Sequence, residues 1–187
     1  MQFVINEDKY RLPMSYYYQS HGILDGYWQN EEYFFNIKDD IKNIFRFREF
    51  TDDDLVNLKN TMQHSPNCVA LHWRRGDYVG HNKHDIDLSN YMNSALRYLK
   101  KRKNLGQIFV FTEDVKWVKN KLYNFDLGLE YQFISDNLIS KPDYYELYLM
   151  TLCNYIIISN SSFSWWAAYL NDNANKIVIA PDKWIKK

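Results

Sequence analysis

The chain has 187 residues, 46% of them hydrophobic and 18% aromatic, and its 23 Lys+Arg balance 23 Asp+Glu. That is enough apolar material for one sizeable core and borderline for two domains, with a charged share ordinary for a soluble protein. Zero net charge excludes the global field that would gather nucleic acid or an anionic membrane surface.

The cysteines, Cys68 and Cys153, both sit in apolar runs and read as buried thiols of a reducing compartment, not as a disulfide framework. The N-terminus, Met1 to Lys9, lacks the basic flank and long apolar region of a signal peptide, and no apolar run approaches membrane-spanning length. The expected location is cytoplasmic, with peripheral attachment to the inner membrane face through partners.

In chain order, residues 1 to 21 show weak periodicity and a cluster of Tyr16, Tyr17 and Tyr18. Ile23 to Trp28 reads as a short strand or extended segment. From Asn30 to Phe47 a helix is predicted, with Tyr33, Phe34, Ile37, Ile41, Ile44 and Phe45 on one stripe. A second helix, Asp52 to Gln63, takes Thr51 as its N-cap. Asn67 to Arg74 is a strand. Then the rhythm becomes regular: a helix capped by Ser89 and running to about Arg102, a strand from Ile108 to Phe111, a helix from Asp114 to Tyr123 and a strand from Tyr131 to Ile134. A helix from Tyr144 to Cys153, a strand from Ile156 to Ser159, a helix from Phe163 to Asn171 and a strand from Ile177 to Ala180 complete it. Strand alternating with helix predicts an α/β fold, a Rossmann-like doubly wound parallel sheet of about five strands. The expected division is 1–64, a partly helical N-terminal remnant, and 65–187, the sheet domain.

Right-handed crossovers put every strand-to-helix turn on one sheet edge, where open α/β sheets bind ligands. Those turns are Arg74 to Val79, Thr112-Glu113-Asp114, Ser135-Asp136-Asn137 and Asn160-Ser161-Ser162. Side chains alternate along a strand, so Arg74 and Arg75 cannot both point the same way while it stays extended. The pair reads either as a phosphate clamp or as a surface arginine pair capping a strand. Ser161 or Ser162 can cap the helix that follows, and hydroxyls with free N–H groups at a helix start make an anion site. There is no Walker loop and no Gly-x-Gly-x-x-Gly, so an anion must be held by side chains and a helix end.

His72-Trp73-Arg74-Arg75-Gly76-Asp77-Tyr78 resembles the first signature of the α-1,2-fucosyltransferases, commonly His-x-Arg-Arg-Gly-Asp-Tyr. Phe109 to Trp117 is similar to their second conserved region, and Glu146 to Asn171, with Asn160-Ser161-Ser162-Phe163-Ser164-Trp165-Trp166, to their third. Leu24-Asp25-Gly26-Tyr27-Trp28-Gln29 reads like their Gly-Tyr-Trp-Gln segment. The resemblance implies the C-terminal, donor-binding half of a GT-B-type inverting transferase. It implies transfer of L-fucose from GDP-L-fucose to the 2-hydroxyl of a galactose-terminated glycan, with no cofactor and no metal. Carried over by position, Arg75 binds the diphosphate and stabilises the leaving GDP, Arg74 shares that contact or supports the loop, and His72 lies against the nucleotide. Ser161, Ser162 and Phe163 hold the phosphates. Glu146 stands where the family usually has an Asp that reads the guanine N–H edge. Asp77 is a candidate base, or orients an arginine. The family's N-terminal Gly-Gly-Leu-Gly-Asn-Gln segment is absent, so a truncated copy, or a non-catalytic GDP-sugar-binding remnant, is the alternative.

Rival readings attach to single motifs. Arg75-Gly76-Asp77 spells an adhesion tripeptide, which requires an exposed loop in a secreted protein. His81, His84, Asp85 and Asp87 could ligate the metal of a hydrolase, although no third ligand has clear spacing. Trp165 and Trp166 could stack on a sugar, though packing is the expectation for a helix after a buried strand. Asn160 lies in a glycosylation acceptor triplet, read as accidental because it falls inside the core motif.

Overall fold

The structure, a computed structural model, describes residues 3–6, 22–26, 30–138 and 141–186. Contacts divide the chain into two units, Met1–Arg48 and Glu49–Lys187. In the first, β1 (Phe3–Asn6) pairs in parallel with β2 (Gly22–Asp25). Tyr16 to Tyr18 and Tyr27-Trp28-Gln29 lie outside the described residues.

The continuous helix predicted over 30–47 is instead two 3-10 turns, Glu31–Tyr33 and Phe35–Ile37, followed by α1 (Lys38–Ile44). Asn30 Oδ1 accepts the Glu32 N–H and starts the first turn, and Phe34, at φ −132°, interrupts the helical path. Three bulky aromatics in a row, Tyr33 to Phe35, favour such a break, since aromatics lose rotamer freedom in a helix. The apolar stripe is buried only in part: Phe34 is 9% exposed, whereas Ile44 is 74% exposed and Phe45 46%.

The second unit is built on a five-stranded, all-parallel sheet in the order β5-β4-β3-β6-β7. Its strands are β3 (Val69–His72), β4 (Ile108–Phe111), β5 (Tyr131–Phe133), β6 (Tyr155–Ile157) and β7 (Ile177–Ile179). Its helices are α2 (Asp53–His64), α3 (Ser89–Arg102), α4 (Val115–Asn124), α5 (Asp143–Thr151) and α6 (Ser162–Leu170). Strand sequences such as Ile108-Phe109-Val110-Phe111 are apolar at every position because helices cover both faces.

Alternation sorts the core into two layers. Ala70, Phe109, Phe111 and Ile156 face α2, α5 and α6, where Leu58, Met62, Leu149, Met150 and Ala167 meet them. Val69, Leu71, Ile108, Val110 and Ile157 face α3 and α4, against Met92, Leu96, Leu99, Val118 and Leu122. Helix α2, expected to precede the sheet domain, lies with the sheet because Leu55, Leu58 and Met62 are part of its core. Cys68 and Cys153 are free thiols buried in that layer.

Three helix starts are fixed by carboxylates. Asp52 Oδ1, not Thr51, caps α2 by accepting the N–H groups of Asp54 and Leu55. Asp114 caps α4 through the Trp117 N–H at 3.2 Å. At α3 the cap position is Leu88, not Ser89, and Asp87 Oδ1 accepts the Ser89 N–H at 2.9 Å. A carboxylate meets the exposed N–H groups of a first turn more strongly than a hydroxyl does. Among the described residues no helix is long and apolar enough to cross a membrane.

The strand order places a reversal at β3. From there the chain steps outward to β4 and β5, then returns to lay β6 on the other side of β3. The crevice past the carboxyl ends of β3 and β6 is thus a topological switch point, where a ligand can enter between diverging loops.

Candidate active site

A cavity of about 530 Å³ opens at that switch point. From the end of β3 it takes His72, Arg74 and the turn Gly76-Asp77-Tyr78; from the end of β4, Glu113; from α5, Asp143 and Glu146; from the start of α6, Ser161, Ser162 and Phe163. A larger groove, about 810 Å³, runs between α3 and β7 past Tyr91, Tyr98, Ile177 and Pro181, and contains none of those residues. Convergent ionisable groups single out the smaller cavity.

The alternation along β3 decides between the two arginines. Trp73 is 1% exposed in the α3/α4 layer, where it packs edge-on against Trp117. His72 and Arg74 therefore face α5 and α6, while Arg75 follows Trp73. Arg74 lines the cavity; Arg75, expected to be the diphosphate ligand, does not. The Arg75 guanidinium lies over the Trp117 ring at 3.8 Å, with Nε 3.7 Å from Asp114 Oδ2.

Asp77 Oδ1 accepts from Arg74 Nε at 3.1 Å and Nη2 at 2.7 Å, so the aspartate is paired to an arginine, and Glu113 Oε1 accepts from Arg74 Nη1. Tyr78 lies beneath the same guanidinium, 5.5 Å from its ring centre. The adhesion tripeptide is thereby dismantled: Arg75 rests on Trp117 and Asp77 holds Arg74.

His72 is 2% exposed, with its ring 5.9 Å from that of Phe163. Its Nδ1 shares a hydrogen bond of 2.9 Å with Ser159 Oγ, which also accepts the Arg74 backbone N–H at 3.2 Å. Burial, reinforced by the charge of Arg74, pushes the imidazole down to about 3, so the ring is neutral at physiological pH. Ser159, just past β6, thereby ties the end of that strand to the end of β3, behind the cavity lining. Sequence reasoning passed over it, although a serine ending the run Tyr155 to Ile158 was a visible signal.

Ser161 occupies the N-cap position of α6, but neither it nor Ser162 caps the helix as expected: the Ser161 side chain makes no capping hydrogen bond. The first-turn N–H groups of α6 thus remain available at the cavity rim, where the helix dipole favours an anion.

Glu146 faces these groups from α5, and Ser135 Oγ donates to its Oε1 at 3.3 Å. Burial, then the charges of Glu113 and Asp143, push its carboxyl up to about 7. A carboxyl held above its ordinary range binds its proton more tightly in the fold than in the unfolded chain. Its contribution to stability is full below the ordinary carboxyl range and is lost as pH rises through 7. The swing is on the order of 3 kcal/mol. Glu146→Gln cannot titrate and removes it. Urea denaturation at about pH 5 and about pH 8 will show a larger loss in the wild type than in E146Q; equal losses would contradict the assignment.

The remaining candidates serve structure. His81 Nδ1 accepts the N–H groups of Lys83 and His84, and the His84 ring stacks on Tyr78 at 5.0 Å. Among the described residues no three ligating side chains gather as a metal site. Asn160 is 1% exposed and its Nδ2 donates to the carbonyls of His84 and Trp184, both at 3.0 Å. Trp165 stacks on Tyr169 at 5.4 Å and packs against the core.

The sequence matches the model of glycosyl transferase family 11 over residues 5–187. It is 35% identical over 167 residues to the alpha-1,2-colitosyltransferase of Escherichia coli, covering 87% of this chain and 56% of that protein. The O-antigen biosynthesis glycosyltransferase WbnK of Escherichia coli is 30% identical over 90% of this chain and 53% of its own length. The galactoside alpha-(1,2)-fucosyltransferase 1 of Bos taurus is 26% identical over 79% of this chain and 43% of its own. The chain thus spans about half the length of the curated relatives it matches. The crystal structure of POFUT1 in complex with GDP superposes with a TM-score of 0.52 at 11% identity, over 76% of this chain and 50% of that one, which is a likeness of fold. A family model matched from β1 to the C-terminus, with two relatives at 30% identity or more, carries the conclusion that this chain belongs to glycosyl transferase family 11.

Proposed function

We infer that the chain supplies the donor site of an inverting α-1,2-fucosyltransferase, which moves L-fucose from GDP-L-fucose to the 2-hydroxyl of a terminal galactose in a glycan. The observation that carries this reading is the convergence in one cavity of Arg74, His72, Glu146 and the open start of α6. Relatives named for α-1,2 transfer of fucose and of colitose support the linkage and the sugar class.

In the reaction the acceptor hydroxyl attacks the anomeric carbon from the face opposite the diphosphate. The new carbon–oxygen bond forms as the bond to phosphate breaks, the hydroxyl proton passes to a base, and GDP leaves with added negative charge. Arg74 offers a planar fork of donors that matches phosphate oxygens, and the α6 amides add the positive end of a helix dipole. Fixed donors of this kind stabilise the departing diphosphate without a metal. Neutral His72, aimed by Ser159, can donate to or accept from the nucleotide without adding charge. Glu146, once ionised, accepts the paired N–H groups of a guanine edge. Asp77, already engaged by Arg74, acts as an orienting group and not as the base.

Calorimetry with GDP and GDP-fucose, paired with fucose transfer to a galactose-terminated acceptor, tests the reading without added divalent metal. Binding of both nucleotides with transfer is the expected result. Binding without transfer would leave a GDP-sugar-binding protein, and no binding of either would overturn the donor site.

A further inference from the structure

We propose that Glu113 is a positioning residue, whose carboxylate holds Arg74 and the turn after it in the geometry that meets the donor diphosphate. The proposal rests on the donor-site reading above and adds to it a residue from the neighbouring strand.

Three observations carry it. Glu113 follows β4, which pairs in register with β3 so that His72 lies beside Phe111. From there its two oxygens take different partners: Oε1 accepts from Arg74 Nη1, and Oε2 accepts the backbone N–H of Arg75 at 3.0 Å. One carboxylate thus fixes the side chain of one arginine and the main chain of the next. Second, Asp77 engages the Nε and Nη2 side of the same guanidinium, so the fork is held from two directions. Of its five N–H groups, these bonds claim one on each nitrogen, leaving a proton on each terminal nitrogen for an incoming oxygen. Third, the turn is packed on Glu113: Gly76 has φ +21°, and a Cβ built there would lie 3.4 Å from Glu113 Cδ.

The consequence is preorganisation. A free arginine must give up rotamer freedom when it grips a phosphate, whereas Arg74 is ordered before the donor arrives. Glu113 also acts across the cavity, where its negative charge helps keep the proton on Glu146. It therefore couples the arginine on one wall to the acid on the other.

Glu113→Gln keeps the shape but removes the charge and one acceptor oxygen; Glu113→Asp keeps the charge and withdraws it by one methylene. In E113Q, kcat for fucose transfer falls by roughly tenfold to a hundredfold, as for other outer-shell partners of a functional group. KM for GDP-fucose changes much less, and E113D recovers part of the loss. The pH midpoint of GDP affinity, set by Glu146, moves down in E113Q, which a purely structural role would not cause. A wild-type kcat in E113Q with an unmoved midpoint would overturn the proposal. The backbone N–H resonance of Arg75, which donates to Glu113 Oε2, gives a readout that needs no nucleotide. It should be protected from exchange in the wild type and less protected in E113Q. If it exchanges like a solvent-exposed amide in the wild type, the positioning role is wrong even where GDP binds. A protected resonance in a wild type that binds no GDP would uphold the contact and overturn the donor site instead.

Discussion

Arg74→Ala lowers fucose transfer by about a hundredfold or more, while Arg75→Ala lowers it by less than about tenfold. The two residues are adjacent and chemically identical, so the difference comes from strand geometry alone. Arg74 shares the face of His72 and lines the cavity. Arg75 shares the face of Trp73 and stacks on Trp117, away from the lining. Loss of Arg75 removes a cation–π contact and an ion pair with Asp114, worth about 1 kcal/mol of stability, so its signature is a lower melting temperature. Loss of Arg74 removes the guanidinium proposed to meet the leaving diphosphate and leaves Asp77 and Glu113 unneutralised in the cavity, where they would repel that anion. Arg74→Lys keeps the charge without the fork and will not restore full rate. Steady-state kinetics on the two alanine variants decide the matter, and equal losses would mean that the faces are wrongly assigned.

Gly106→Ala destabilises the sheet unit by about 3 kcal/mol, the upper end of ordinary overpacking. A Cβ at this position would sit 2.0 Å from the Pro66 carbonyl oxygen and 3.2 Å from its carbon. Those atoms are backbone and cannot rotate aside. The Gly106 N–H donates to Asn67 O at 3.1 Å, so the loop before β4 is tied to the turn before β3, where Asn67 takes φ 55°. Relieving the clash pushes this turn away from the sheet and drags the start of β3 with it. Gly128→Ala makes the control: its φ of +57° strains an alanine, but nothing lies within 4 Å of the added carbon. It costs about 1 kcal/mol. For a unit of this size the two variants separate by several degrees in Tm. Equal melting temperatures would show that the Pro66 contact relaxes freely.

The five sheet strands were legible because each is a short apolar run between turn residues, and the helices between them because their buried positions recur at helical spacing. Their order was not legible. Nothing in the sequence says that β6 returns to β3 instead of continuing outward past β5, and that return creates the switch point. The motif His72 to Tyr78 marked the right stretch, but choosing between Arg74 and Arg75 required knowing which face Trp73 buries. Thr51 lost the α2 cap to Asp52, one residue on, for a difference of charge that propensity ranks as near equal. The turn Thr112-Glu113-Asp114 was placed on the ligand-binding edge, but Glu113 was given no role there because an acidic residue after a strand ordinarily reads as a solvated turn. Its importance lies in a contact 39 residues back in the chain. The segment 30–47 misled for the opposite reason: its periodicity is helical, but consecutive aromatics and the Asn30 cap divide it into short turns.

The most direct test is a crystal structure of this chain with GDP. The account predicts the diphosphate between the Arg74 guanidinium and the first-turn amides of α6, with the guanine edge toward Glu146. GDP bound in the groove between α3 and β7, or with its phosphates on Arg75 instead of Arg74, would contradict it.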